Sequence, residues 1–279
     1  MRRSFNRPDY IAHTILVLGV LLFAFPVWLV FAGSTQDSDA IMRGDLSLMP
    51  HLANLSVYPR VLLHGTMGTE PVWHMLLTSF GMAVAIATGK IFISVLSAYA
   101  VVFFRFPFRQ TAFWLIFVTL MLPVEVRIIP TYAVMAGFGL INTFTGLWVP
   151  LIASATATLL FRQVFTAIPD ELVEAARIDG AGPLRFLRDI VLPVSGANIA
   201  ALFVILFVYG WNQYLWPLLV STDPALDTIV IGIVKMIGQE TQTDWSAVMA
   251  TAVLALLPPV AVVVLMQRWF VAGLTEGEK

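Results

Sequence analysis

Residues 11–32 read IAHTILVLGVLLFAFPVWLVFA, twenty-two positions without a charged side chain. As a helix rising 1.5 Å per residue the run is about 33 Å long, enough to cross a hydrocarbon core of roughly 30 Å. Backbone N–H and C=O groups left unpaired in lipid are so costly that only helices and closed barrels span it. Barrel strands show short alternating segments, and this run is unbroken. The chain therefore reads as an all-α integral membrane protein.

The same reading extends outward. Further apolar runs lie at residues 78–103, 111–134, 144–161, 198–220 and 247–267, which makes six expected transmembrane helices. The 279-residue chain is 59% hydrophobic and 12% charged, above the roughly 45–50% apolar content of soluble domains. Arg2, Arg3 and Arg7 precede the first run as they would in a secretory signal. That run exceeds the roughly 7–15 residues of a signal core, so a retained anchor is expected.

Net charge is −1 and cysteine is absent. The balance gives no reason to expect a nucleic-acid partner, and no disulfide or thiolate metal site can form. His13, His51, His64 and His74 lie at a span end or outside, without ligand spacing, so no metal is expected. The pair Gly89-Lys90 is followed by Ile91 and preceded by Val84 where a phosphate loop needs Gly, so the chain lacks an ATPase motif of its own.

Lys and Arg accumulate in cytoplasmic loops. With the N-terminus inside, the inner segments hold eleven of them: Arg2, Arg3, Arg7, Arg105, Arg109, Arg162, Arg177, Arg185, Arg188, Arg268 and Lys279. The outer segments hold Arg43, Arg60 and Lys235, and the spans hold Lys90 and Arg127. Both termini are expected in the cytoplasm, residues 33–74 form a periplasmic segment, and residues 163–197 form a long cytoplasmic loop. The whole reads as one membrane domain.

A bare connection between two spans needs far fewer residues than that loop contains. Its first part reads Ile168-Pro169-Asp170-Glu171-Leu172-Val173-Glu174-Ala175-Ala176-Arg177-Ile178-Asp179-Gly180-Ala181-Gly182-Pro183. Pro169, Asp170 and Glu171 suit a helix start, and Gly180 suits its end. Pro183 can open a second short helix, and Pro193 is expected to stop it before the fifth span. The first helix is too short to be stable alone in water and needs a surface to pack on. Ala175 and Ala176 would let that surface approach closely. Glu174 and Arg177, three apart, can meet on one face. A helix lying on lipid would be basic where this one is acidic.

Glu174-Ala175-Ala176, three residues, Gly180, nine residues, Ile190, one residue and Leu192-Pro193 resemble the EAA loop of ATP-binding-cassette importer permeases, with seven defined positions over twenty residues. The resemblance extends from the first span to Gln267-Arg268-Trp269-Phe270-Val271-Ala272-Gly273-Leu274. It implies the type I importer permease fold in a bacterial inner membrane, and a role for Glu174, Ala175, Ala176, Asp179, Gly180, Ala181 and Pro193 in coupling to a separate ATPase. It further implies a heterodimeric second permease, an ATPase dimer that uses ATP and Mg, and a periplasmic or lipid-anchored solute-binding protein. No cofactor is expected on this chain.

Within the superfamily, Gly210-Trp211-Asn212-Gln213-Tyr214-Leu215-Trp216-Pro217-Leu218 is similar to the carbohydrate-uptake, maltose-type branch. Residues 122–130, LPVEVRIIP, and residues 180–193 resemble the second permease of sn-glycerol-3-phosphate importers. A permease of the same branch for a neutral sugar or polyol is the alternative.

Polar groups inside spans are costly and tend to face a cavity or a partner. Glu125 and Arg127 point about 200° apart on a helix and cannot simply neutralise each other. Arg127 is expected either to draw an anionic head group into the pathway or to join an interhelical ion pair. Lys90 either faces the pathway or snorkels outward. Trp211, Asn212, Gln213, Tyr214 and Trp216 combine hydrogen-bonding groups with flat apolar faces, as a polyol site would and as an aromatic belt would. Glu125 is the single acid in the spans, which argues against a membrane hydrolase. An ion-coupled secondary transporter would show internal repeats and several intramembrane carboxylates.

Overall fold

The structure is a computed structural model that describes residues 10–66, 68–119, 122–237 and 243–275. Arg2, Arg3, Arg7 and Lys279 lie outside the described residues, as do the side chains of Val124, Glu125 and residues 270–275. Among the described residues the regular structure is helical, with no strand.

In chain order the helices are α1 (Tyr10–Ser34), α2 (Ser38–Met42), α3 (Val57–His64), α4 (Val72–Phe103), α5 (Arg109–Val118), α6 (Val124–Gly137) and α7 (Phe144–Trp148). They continue with α8 (Ala155–Thr166), α9 (Asp170–Ile178), α10 (Pro183–Phe186), α11 (Leu192–Val194) and α12 (Gly196–Trp211). The last are α13 (Leu215–Val220), α14 (Ile229–Ile237) and α15 (Trp245–Thr275).

Among the described residues three helices are long and apolar enough to cross a membrane: Tyr10–Ser34, Val72–Phe103 and Trp245–Trp269. The count reaches five if two bent pairs each cross as one, Phe144–Leu151 with Ala155–Thr166 at 51° and Pro183–Val194 with Gly196–Trp211 at 74°. The even hydropathy of the expected spans hides their breaks. Residues 111–134 divide into α5 and α6, because Pro123 lacks an N–H and bars its predecessor from helical geometry. Residues 144–161 break before Ser154, whose hydroxyl accepts from the Ala157 N–H at 3.2 Å and caps α8. Residues 198–220 divide at residues 212–214, between α12 and α13.

The chain forms two compact units, Met1–Trp73 with Ile233–Leu256, and His74–Gly232 with Leu257–Lys279. In the first unit α1 is bare along most of its length, with Phe23 81% exposed, and only Ala32, Gly33 and Ser34 of its last turn are buried. A polar knot follows. The Gln36 amide donates to Ser47 O at 2.6 Å and accepts from Ser47 N at 2.8 Å. Thr35 Oγ1 accepts from His51 N, and Ser34 Oγ lies 2.7 Å from Tyr58 Oη. These bonds satisfy backbone groups that an irregular segment would otherwise leave unpaired, so residues 33–74 are built as short helices around that knot. Arg60 Nη2 pairs with Asp244 Oδ2 at 2.9 Å.

Asp244 also caps α15 by accepting from the Ala247 N–H at 3.1 Å. Burial alone would raise its pKa. Hydrogen bonds from the Ser246 hydroxyl and Ala247, together with Arg60, outweigh that effect and hold the carboxyl below its ordinary value.

In the second unit, Met82, Ile86, Ile128, Met135, Leu147, Trp216 and Val220 form one buried apolar cluster. Gly210 lets α12 approach α4 closely, since a Cβ there would stand 3.0 Å from Ala83 Cα. Small residues at such crossings are the usual means of bringing membrane helices together.

Candidate functional site

Two sites in the second unit hold most of the side chains singled out by sequence. The first is residues 170–194. Pro169 precedes α9 with φ −57° and ψ 137°, the extended geometry that launches a helix. The helix ends as its glycine predicts. Gly180 has φ +67°, its N–H donates to Arg177 O at 3.1 Å, and the Ala181 N–H reaches back to Ala176 O at 2.9 Å. This is a Schellman end.

Ala176 is the buried member of α9, while Glu174, Ala175, Asp179 and Gly180 are exposed. Glu174 and Arg177 do not pair. Among the described residues the ion pairs are Arg43 with Asp45, Arg60 with Asp244, and Arg185 with Asp189. Ile178 is 83% exposed and Leu184 79% exposed, so the acidic outer face carries apolar side chains at its edge.

Pro193 does not stop the second helix. The chain runs helically from Pro183 to Val194, with a wider π turn at Leu187–Val191. It turns 74° only at Ser195, before α12. A proline ring crowds the carbonyl four residues back, here Asp189, and the π turn accommodates that conflict. Beneath the segment, Tyr99 Oη donates to Pro183 O at 2.7 Å, and the rings of Tyr99, Phe103 and Phe186 pack together. The helical segment that starts at Pro183 is thus fastened to the end of α4.

The second site is a cavity of about 120 Å³ whose polar lining comes from Lys90, Arg127, Thr131, Tyr209 and Gln213, with Trp216 and the break after α7 completing the wall. Lys90 is 7% exposed, and its Nζ sits 4.0 Å from the centre of the Tyr209 ring. Among the described residues neither Lys90 nor Arg127 has a carboxylate partner within 4.0 Å. The Gln213 amide donates to Tyr209 O at 3.2 Å, leaving its carbonyl to accept. Trp216 anchors its ring by donating to Gly146 O at 3.0 Å.

The remaining sequence candidates lie elsewhere. Trp211 is buried and stacked on Phe207, in the packing between helices. Asn212 donates back to Val208 O at the end of α12, and Tyr214 stands 40% exposed outside the cavity lining. The Glu125 side chain falls outside the described residues. Tyr209 and Thr131 were not singled out by sequence. Each stands four residues from a candidate, Gln213 and Arg127 respectively, so one turn of helix would have pointed to them.

Bare apolar helices, a small cavity with a polar lining and an acidic two-helix segment define a membrane-embedded transport component. The family described as "Binding-protein-dependent transport system inner membrane component" matches residues 90–276, and the chain belongs to that family. It is a permease subunit of an ATP-binding-cassette importer, an inner-membrane component and not an enzyme.

It is 58% identical over 281 residues to the sn-glycerol-3-phosphate transport system permease protein UgpE of Agrobacterium fabrum, covering 98% of this chain and 99% of the relative. It is 56% identical to the protein so named in Rhizobium meliloti, with 97% of each chain covered. A chain from a bacterial ABC transporter involved in the import of the acidic polysaccharide alginate shares the fold. Its TM-score is 0.79 at 23% identity, over 96% of this chain and 100% of that one. A second chain, from the alginate ABC transporter in complex with a pentasaccharide-bound periplasmic protein, matches with a TM-score of 0.61 at 13% identity, over 92% and 93%.

Proposed function

We propose that this chain forms half of the translocation pathway for sn-glycerol-3-phosphate, or for glycerophosphodiesters, and is driven through residues 174–193 by a separate ATPase. The observation that carries the reading is α9 itself. It is a nine-residue helix closed at Gly180, with Glu174, Ala175 and Asp179 facing outward and Tyr99 bracing the helix that follows. So short a helix is stable only against other surfaces, and its outward side awaits one.

In this reading the partner ATPase dimer hydrolyses ATP with Mg, a second permease supplies the other half of the pathway, and a binding protein delivers solute. Six spans with both termini in the cytoplasm complete the topology. Three of the six, residues 111–134, 144–161 and 198–220, are then broken helices, consistent with irregular backbone being tolerated at membrane depth where it lines a cavity. The names of the relatives favour glycerol-3-phosphate over a neutral sugar or polyol.

The test is uptake by the complete importer in proteoliposomes. ATP-dependent accumulation of glycerol-3-phosphate, undiminished by an excess of neutral sugar, is expected. Accumulation of the sugar without the phosphate ester would overturn the substrate assignment.

A further inference from the structure

We propose that Lys90 and Arg127 form a two-cation seat for a doubly charged phosphate monoester, so that this subunit itself favours monoesters over singly charged phosphodiesters. The inference rests on the reading that phosphorylated glycerol passes through this chain.

Lys90 stands thirteen residues before the end of α4 at Phe103, about 20 Å along the helix axis. That places it well inside the apolar stretch of α4 rather than in its last turns. A snorkelling lysine would be exposed along its outer end, and this one is enclosed by protein. It is 93% buried, since only 7% is exposed, and it opens onto the same cavity as Arg127.

A buried cation is tolerated when an opposite charge compensates it, and that demand falls on the buried Lys90, with the exposed Arg127 beside it on the cavity. Among the described residues no carboxylate answers it. The Tyr209 ring, 4.0 Å from Nζ, offers a weaker cation–π contact and fixes where the ammonium points. An anion entering the cavity meets a point charge from Lys90 and a planar fork from Arg127, the two complementary ways of holding a phosphate. Gln213 and Thr131 lie beside them with groups suited to the hydroxyls of a glycerol.

The charge count sets the preference. A phosphate monoester carries about −1.5 to −2 near neutral pH and can satisfy both cations. A diester carries a single charge and leaves one of them uncompensated.

The experiment measures ATP-driven uptake of glycerol-3-phosphate and of glycerophosphocholine, each below saturation, by proteoliposomes of the whole importer. It compares wild type with Lys90→Gln, Lys90→Arg and Arg127→Gln. Removing one charge-assisted contact is expected to lower monoester uptake about tenfold. Diester uptake should fall far less, so the monoester to diester ratio drops, and K90R should restore it. An equal loss of both solutes in K90Q and R127Q would show that the two cations only hold the fold, and an unchanged ratio would remove them from solute recognition. Either result overturns the proposal while wild-type uptake of glycerol-3-phosphate leaves the functional reading standing. Wild-type vesicles that move neither phosphate compound would instead break that reading.

Discussion

Gly180 occupies the left-handed region at φ +67° with open space where a Cβ would project, so the cost of a side chain there is purely conformational. G180A is expected to cost about 1 kcal/mol and to speed amide exchange at residue 181 roughly fivefold, with membrane insertion unchanged. Asp244 answers to pH. Its folded pKa lies below the ordinary 3.8, so its contribution is present above that value and is lost as pH falls through the folded one. Because both partners are partly exposed, the Arg60 pair is worth under about 1 kcal/mol, and the cap on α15 about as much. D244A should therefore lower thermal stability modestly at neutral pH, and the difference from wild type should vanish in acid. A difference that persists in strong acid would count against the assignment. Gly210 is the opposite case from Gly180, because the backbone of Ala83 fills its neighbourhood. G210V should cost about 1–3 kcal/mol by overpacking, read as a lower denaturation midpoint in detergent.

At the scale of the element, the helical segment from Pro183 to Val194 is held by Tyr99. Y99F deletes one hydrogen bond to Pro183 O, worth about 1 kcal/mol, and should loosen residues 183–186. Faster exchange there, with a partial loss of solute-stimulated ATP hydrolysis, is the expected outcome. The two ends of this segment differ in how well sequence foretold them. Pro169, Gly180 and Pro183 act locally, through their own φ and missing N–H groups, and the structure places them where those rules require. Pro193 was expected to end its helix, but the conflict it creates is absorbed upstream in the π turn, and the chain bends at Ser195 instead. The breaks at Pro123, Ser154 and residues 212–214 were hidden for a related reason. Hydropathy averages over side chains, and apolar composition continues across each break.

At the scale of the whole molecule, the proposals put the drive site on residues 174–193 and the solute site at the cavity of Lys90 and Arg127. Its membrane character and helical class were legible from residues 11–32 and their counterparts. The seat was legible only in part. Arg127, Lys90 and Gln213 could be named as costly polar groups within apolar runs, but nothing in their spacing places Lys90 against Tyr209, because that contact joins α4 to α12 across 119 residues. Trp211 shows the converse: it sits in the same aromatic stretch as Trp216 yet is spent on packing against Phe207.

The most direct test of the central claim, that residues 174–193 couple this permease to its ATPase, is solute-stimulated ATP hydrolysis by the complete importer carrying Glu174→Lys. Reversing the charge on the exposed face of α9 should leave the subunit inserted and its helices intact while stimulated hydrolysis collapses. Full stimulation by the variant would contradict the account.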